Sequence, residues 1–242
     1  MRILPCGFDG ALIEFSQRIS PLIHRRTIRF SKAIEDARIP GVIEVVPSYC
    51  SLLLRYDPLL TEFAALAHQI RALKRQSGSG GAPEGPVRYI PVRYGGDAGP
   101  DLICSAKACG LSPEQLIATH FSKTYRVYAI GFLPGFPYLG LLPKSLSLPR
   151  LETPRKRVPK GSVAIASRQT GIYPRESPGG WRLIGRTPFE LFCETEDPPT
   201  LLQTGDRARF VAIDDAEDEA IRRRVSQGNW MRFEREWRQG AL

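Results

Sequence analysis

Residues 131–188 constrain the fold more than any other part of this chain. They contain 9 of its 21 prolines and 8 of its 22 glycines. Proline fixes φ and removes a backbone donor, whereas glycine allows φ > 0 and close backbone approach. Apolar runs at 163–166 and 181–184 separate these turn residues. The segment is therefore predicted to form short strands joined by tightly specified turns, and not a disordered region.

Positive charge is concentrated in the same region. Residues 150–186 carry nine basic and two acidic side chains, in a chain whose net charge is +9. A local concentration of this kind favours an anion-binding site over a generally basic surface. Nucleic acid is the alternative partner, but neither a helix-turn-helix nor an RNP-type pattern accompanies the basic residues. We expect a small-molecule anion and no nucleic acid.

The remaining composition is that of an ordinary globular protein, with 42% hydrophobic and 24% charged residues. The five cysteines form no C-x-x-C pair, and with three histidines they suggest neither a metal site nor a disulfide framework. The first residues lack a signal-like apolar core, and no apolar run reaches about 18 residues. These features predict a cytoplasmic protein with no membrane association.

Periodicity in the first part of the chain predicts an α+β fold that begins with a ferredoxin-like α/β domain, residues 1–94. The expected order is β-α-β-β-α-β. The Ser- and Gly-rich stretch 77–86 is predicted to be a flexible loop before the last strand. The four strands and two helices are expected near 11–15, 19–37, 42–46, 51–56, 61–75 and 87–93.

The next 119 residues, 95–213, are predicted to form two short helices and then a small closed or nearly closed β-barrel. The sequence SPEQ at 112–115 is a helix start signal, with an N-cap serine and proline at the first helical position. Residues 214–242 are predicted to be a helical tail, on which Trp230, Phe233 and Trp237 share one face. This aromatic stripe either packs on its own domain or docks on a partner.

Several long motifs resemble one family in their order and spacing. They read GFLPGFPYL at 131–139, PRKRVPKGSVAI at 154–165, QTGIYP at 169–174 and SPGGW at 177–181, followed by GRT at 185–187. The chain is similar to the family of 5-oxoprolinase B subunits, also known as the KipI-like kinase A inhibitor family and as allophanate hydrolase subunit 1. The sequence departs from the family pattern at 204–206 and 166–167, where it reads TGD and AS.

The resemblance implies an N-terminal α/β domain followed by a cyclophilin-like β-barrel. It implies that the chain is the B subunit of a heteromeric, ATP-dependent 5-oxoprolinase and is inactive alone. The implied partners are the A subunit of that enzyme and a C subunit that resembles allophanate hydrolase subunit 2. That enzyme opens the lactam of 5-oxoproline to give L-glutamate. The alternatives are an inhibitor of a sensor histidine kinase and a carboxyltransferase component of a biotin-dependent urea-degrading system. The chain has neither a Walker loop nor a biotin attachment motif, so ATP is expected to be shared with a partner.

The proposed chemistry needs groups that bind a carboxylate and phosphates and that stabilise developing negative charge. We expect four catalytic residues: Arg155 and Arg186, which face a common pocket, and Gln169 and His120, which lie nearby. For the arginines the alternative is a structural salt bridge or a solvated turn, which we favour for Arg168 and Arg175. For His120 the alternative is a hydrogen bond in the core. For Gly179 and Gly180 the alternative is a tight turn packed under Trp181. Residues expected to contact substrate or nucleotide are Arg157, Tyr173, Gly179, Gly180 and Trp181.

Overall fold

A computed structural model describes residues 1–76, 81–226 and 237. The chain divides into two compact units, Met1–Glu84 and Gly85–Leu242. Both combine helices with antiparallel strands, and the second contains a closed barrel, so the predicted α+β class is confirmed. Every helix in the described part of the chain is too short or too polar to cross a bilayer.

The first unit is built on an antiparallel sheet with two helices, α1 (Pro21–Ala37) and α2 (Phe63–Gln76). Pro21 occupies the first turn of α1, and Arg38 ends this helix in a left-handed conformation. Over residues 1–76 the sheet has the strand order β1-β2-β4-β3, and its buried face packs around Ile13, Leu52 and Leu54. The strands are β1 (Arg2–Cys6), β2 (Gly10–Glu14), β3 (Val42–Ser48) and β4 (Ser51–Tyr56).

The second unit is centred on a barrel that seven strands close within residues 81–226, in the order β10-β7-β6-β13-β5-β12-β9. A separate two-stranded ribbon pairs β8 with β11. The strands are β5 (Val87–Tyr94), β6 (Thr124–Ile130), β7 (Pro137–Gly140), β8 (Arg155–Val158), β9 (Ser162–Ala166), β10 (Gln169–Ile172), β11 (Ser177–Gly179), β12 (Arg182–Arg186) and β13 (Arg207–Ala212).

The strand predicted at 87–93 exists, but it does not complete the first sheet as expected. In the barrel, β5 pairs in parallel with β13 and antiparallel with β12. The edge of the first sheet is instead supplied by β1, which pairs with β2. The sequence of β1, RILPC, has no alternation of apolar and polar residues that could predict a strand, and in the structure only Ile3 of this strand is buried. The boundary between the units consequently lies after Glu84, and not after residue 94 as predicted.

The helices of the second unit follow their local signals. They are α3 (Leu102–Ala108), α4 (Pro113–Phe121) and α5 (Asp215–Ser226), together with a 3₁₀ turn at Lys144–Leu146. The predicted start of α4 is confirmed, because Ser112 and Gln115 form a reciprocal capping box. Of the predicted aromatic stripe, Trp237 packs edge-to-face on Phe189 at 5.5 Å within its own unit. Trp230 and Phe233 lie outside the described residues.

Strand β9 separates two hydrophobic clusters because all five of its residues are buried. Val163 and Ile165 belong to the core inside the barrel, whereas Ala164 and Ala166 belong to a second cluster on the outer side of the wall. Alternate residues of a strand point to opposite faces, which accounts for this division. The second cluster also contains Phe136, Tyr173 and Trp181, which line the candidate site described below.

The position of β5 leads to a prediction about fragments. Residues 85–242 are expected to unfold cooperatively on their own, because they contain the whole barrel. Residues 95–242 lack β5 and leave the neighbouring edges of β12 and β13 unpaired, so this fragment is expected to show no cooperative transition. Thermal unfolding followed by far-ultraviolet circular dichroism compares the two. Equal melting temperatures would show that β5 is dispensable to the barrel.

Candidate functional site

A cavity of about 220 Å³ lies against the outer wall of the barrel. Aromatic side chains form most of its wall, and Arg150 is the only charged residue in its described lining. The ribbon of β8 and β11 contributes one side through Pro178 and Gly179, and Pro154, which precedes β8, lies on the same side. The lining consists of Phe132, Phe136, Tyr138, Arg150, Pro154, Tyr173, Pro178, Gly179, Gly180 and Trp181.

Phe136 organises the aromatic wall. Its ring centroid lies 5.5 Å from that of Phe132 and 5.0 Å from that of Tyr138. The corresponding distances to Tyr173 and Trp181 are 5.2 and 5.6 Å. All four contacts are edge-to-face, the arrangement that the aromatic quadrupole favours. The wall therefore has a defined shape before any ligand arrives.

Two glycines make room for these rings. A Cβ atom added at Gly171 would lie 2.8 Å from Cζ of Phe136, and one added at Gly179 would overlap the hydroxyl of Tyr173. Burial raises the pKa of Tyr173, and a backbone hydrogen bond from Trp181 opposes this shift in part. The Tyr173 hydroxyl is thus protonated near neutral pH and is a neutral hydrogen-bonding group beside the cavity.

Phe132 has an unusual backbone conformation at the mouth of the cavity. Its φ is +70°, and its side chain is 60% exposed. A bulky residue rarely adopts a left-handed φ, which costs about 1–3 kcal/mol. Two backbone hydrogen bonds hold the loop in this shape, from Gly131 to Phe136 at 3.1 Å and from Phe136 to Leu133 at 3.0 Å. The loop therefore fixes an exposed aromatic ring where a ligand would enter.

Arg150 places a positive charge over the cavity. Its guanidinium carbon lies 6.0 Å from the centroid of the Trp181 ring, within the range of a cation–π contact. In the described part of the chain, no carboxylate lies within ion-pair distance of Arg150. The cavity thus combines an aromatic wall with one cation that has no acidic partner among these residues.

Of the residues predicted to contact substrate or nucleotide, Tyr173, Gly179, Gly180 and Trp181 come together in this cavity. Arg157 does not. Its guanidinium forms a 2.8 Å ion pair with Glu176, and its side chain is 79% exposed. Arg157 therefore lies in solvent on the ribbon and takes no part in the wall.

Arg155 has a structural partner. It donates a 2.6 Å hydrogen bond to the buried carboxylate of Asp101, which also accepts the backbone N–H of Leu183 at 2.7 Å. This ion pair holds β8 to the start of β12. Since Gly179 pairs with Arg155 across the ribbon, the ion pair positions the cavity wall and does not line it.

Arg186 and Gln169 also lie outside the cavity lining. Arg186 donates to the backbone oxygen of Asp97 at 3.1 Å and lies 3.9 Å from its carboxylate. A hydrogen bond from Arg93 is the main cause that lowers the pKa of Asp97, and the charge of Arg186 adds to it. Gln169 begins β10, where it pairs with Gly140 and Ala166. Arg155, Arg186, Gln169 and His120, which were expected to share one pocket, therefore lie outside the lining of this cavity.

His120 lies inside the barrel and is fully buried. Its Nδ1 lies 2.7 Å from the Tyr94 hydroxyl, and its Nε2 lies 3.0 Å from the Thr170 hydroxyl. The ring stacks on Phe210 at 4.5 Å. Burial lowers the pKa of His120 to about 3. The predicted acid–base role does not fit this geometry, which is that of a histidine hydrogen-bonded in the core.

The sequence patterns did not single out Arg150, Phe132, Phe136 or Tyr138 as site residues. The three aromatics lie within the motif GFLPGFPYL, which carried the resemblance but received no role. Arg150 was only one of nine basic residues in its segment. What distinguishes it is its position in the cavity lining without an acidic partner among the described residues, whereas Arg155 and Arg157 form ion pairs with carboxylates. This pairing is visible only in three dimensions.

Fold and motifs together define the class of protein. The chain belongs to the carboxyltransferase domain family, subdomains C and D, whose model matches residues 1–202. It is 54% identical over 211 residues to the 5-oxoprolinase B subunit of Haemophilus influenzae, covering 87% of this chain and 97% of that protein. It is 37% identical over 226 residues to the 5-oxoprolinase B subunit of Bacillus subtilis, covering 89% and 94%. The resemblance to this family is confirmed.

Solved structures agree with this assignment. PH0987 from Pyrococcus horikoshii is 42% identical, with a TM-score of 0.54, and covers 89% of this chain and 99% of its own. TTHA0988 is 41% identical with a TM-score of 0.76 over 85% of this chain, which spans only 40% of that longer protein. The Kluyveromyces lactis urea amidolyase, 18% identical with a TM-score of 0.76, shares the fold over 94% of this chain and 16% of its own length.

The backbone of Phe132 can be tested by two substitutions that both remove its ring. Phe132→Ala keeps a Cβ atom at φ +70°, whereas Phe132→Gly does not. The glycine variant is therefore expected to have the larger free energy of unfolding, by about 1 kcal/mol. Urea unfolding of both variants measures the difference. A more stable alanine variant would show that position 132 is not left-handed in solution.

The burial of His120 predicts a pH dependence of stability. Between about pH 6.5 and pH 3 the unfolded chain binds a proton at this residue and the folded chain does not. Lowering the pH through this range should reduce the free energy of unfolding by up to about 1.4 kcal/mol per pH unit. His120→Gln should remove that part of the slope in urea unfolding, whereas the exposed control His68→Gln should retain it. Equal slopes in both variants would contradict the buried, neutral state of His120.

Proposed function

We propose that this chain is the B subunit of a heteromeric, ATP-dependent 5-oxoprolinase that opens the lactam of 5-oxoproline to L-glutamate. The observation that carries the proposal is the aromatic cavity with Arg150 as the one charged residue of its described lining. Relatives at 37–54% identity over most of their length bear the name of the 5-oxoprolinase B subunit, which supports the same activity.

The substrate and the cavity match in size and chemistry. The substrate, 5-oxoproline, is a five-membered ring with a flat amide and one carboxylate. A guanidinium suits the carboxylate, because it offers paired charge-assisted hydrogen bonds. The aromatic rings suit the faces of the lactam. At about 220 Å³ the cavity is smaller than the roughly 300–1,000 Å³ typical of drug-sized ligands, so it favours a small molecule.

ATP has to be accommodated elsewhere in the complex. A lactam is a poor electrophile, and phosphorylation of its oxygen by ATP supplies the leaving group that hydrolysis needs. The cavity is too small to hold a nucleotide in addition to the lactam, and one arginine does not form a phosphate cradle. We therefore propose that ATP is bound by a partner or at a shared surface, and that this chain is inactive alone. The proposed partners are the A subunit of the enzyme and a C subunit that resembles allophanate hydrolase subunit 2.

Within such a complex this chain would bind and orient the lactam. Arg150 would hold the carboxylate, and the protonated hydroxyl of Tyr173 and the backbone at Gly179 and Gly180 would lie beside the ring. Orientation of a reacting group lowers the entropic part of the barrier. In place of the predicted catalytic roles of Arg155 and Arg186, we propose positioning roles through their carboxylate partners.

Reconstitution tests this function. The purified chain is mixed with candidate A and C subunits, and ADP release is followed with and without 5-oxoproline. We expect ADP release and glutamate formation that depend on the substrate and on all three proteins. Omission of this chain should abolish turnover. A complete set of folded partners that forms a complex but shows no turnover would refute the proposal.

The family description, a carboxyltransferase domain, favours one second candidate. We propose as that candidate the carboxyltransferase component of a biotin-dependent urea-degrading system, which the family resemblance also implied. The same purified proteins can be supplied with a carboxylated biotin carrier and urea. Urea-dependent loss of carboxybiotin, without 5-oxoproline turnover, would favour that candidate. Turnover of 5-oxoproline in the absence of any biotin carrier would exclude it as the main activity.

A further inference from the structure

We infer that this chain, without its partners, binds a small cyclic amide carboxylate, with Arg150 on the carboxylate and Trp181 against the ring. The inference rests on the proposed function for the identity of the ligand. It deepens that function in two ways: the chain is inferred to bind the ligand without its partners, and the single positive charge of the described lining is inferred to select a neutral ring that carries a carboxylate.

The first argument comes from charge. The basic segment contains several arginines, but Arg150 is the one that belongs to the described lining of the cavity. Its neighbours in sequence are already paired, Arg155 with Asp101 and Arg157 with Glu176, at 2.6 and 2.8 Å. Arg150 has no such carboxylate among the described residues and lies over the Trp181 ring. It can therefore accept a ligand carboxylate at the cavity without breaking an existing ion pair.

The second argument comes from the shape of the wall. The rings of Phe132, Phe136 and Trp181 are held by edge-to-face contacts, and the loop before Phe136 is closed by its own backbone hydrogen bonds. Arg150 lies over the Trp181 ring at 6.0 Å, so the cation and the aromatic surface meet at one place. A ligand that fills this site needs a flat, uncharged ring directly attached to an anionic group.

The third argument concerns selectivity. L-proline has the same ring size and the same carboxylate as 5-oxoproline, but its nitrogen is a charged ammonium. The described cavity lining contains no carboxylate that could pair with an ammonium, and its one charge is positive. Burying an unpaired charge beside a like charge is unfavourable, whereas a neutral amide N–H is tolerated. The cavity should therefore discriminate against proline, and 2-pyrrolidinone should lack the anchoring group.

Binding to the isolated full-length chain tests the inference by titration calorimetry or ligand-observed NMR. The probes are 5-oxoproline, L-proline and 2-pyrrolidinone. We expect 5-oxoproline to bind about ten- to a hundredfold more tightly than either analogue, the range for one charge-assisted interaction. Arg150→Ala should remove this advantage over 2-pyrrolidinone and leave the weak binding of 2-pyrrolidinone unchanged.

Two further variants separate recognition from general charge. Arg150→Lys keeps the charge but loses the planar fork, so its affinity should fall between those of the parent and Arg150→Ala. Arg157→Ala removes an exposed, paired arginine from the same segment and should bind 5-oxoproline as the parent does. Both arginine side chains are exposed, so each variant is expected to keep the parent's melting temperature.

The outcomes distinguish the inference from the proposed function. Unchanged affinity in Arg150→Ala would overturn the inference, as would a lack of 5-oxoproline binding by a chain that supports turnover in the reconstituted complex. In either case the proposed function would stand. Binding that depends on Arg150, without turnover in a complete complex, would support the inference and sink the proposed function.

Discussion

The burial of β9 on both faces is the constraint on which the site depends. Val163 and Ile165 fill the barrel, so the intervening alanines have to face outward into a second packed layer. Ala164 and Ala166 share this layer with Phe136, Tyr173 and Trp181. A larger residue at either alanine is expected to disturb the packing of these rings, because packed interiors absorb extra volume poorly. One strand is thus common to the barrel core and to the aromatic layer that lines the cavity.

The charges of the basic segment have two different structural uses. Asp101 fixes Arg155 and the backbone of Leu183 together, and it lies within a helix-starting turn far away in the sequence. Through these two hydrogen bonds the Asp101 carboxylate joins β8 to β12. Arg150 is in the opposite situation, since it is exposed and lies over a ring. Sequence composition counts both arginines equally, although only one is available to a ligand.

The sequence predicted the architecture well where local signals were strong. The capping box of α4, the short strands between turns and the closed barrel all follow from spacing and residue type. The sequence could not show that β5 joins β12 and β13, because pairing between distant strands has no local signature. It also could not separate a buried His120 from a catalytic one, since the same residue at a helix end satisfies both. The cavity residues Tyr173, Gly179, Gly180 and Trp181 were found because they share two adjacent motifs.

The contact between Gly179 and Tyr173 has a consequence for how such a site can change over generations. A side chain at position 179 has no space while the tyrosine hydroxyl is present, and a smaller ring at position 173 would leave a void beside a bare glycine. Each single replacement is therefore unfavourable, although the pair could be tolerated together. The same holds for Gly171 and Phe136. We therefore expect replacements at these positions to arise in pairs, so that a change of ligand at this site would require coupled substitutions.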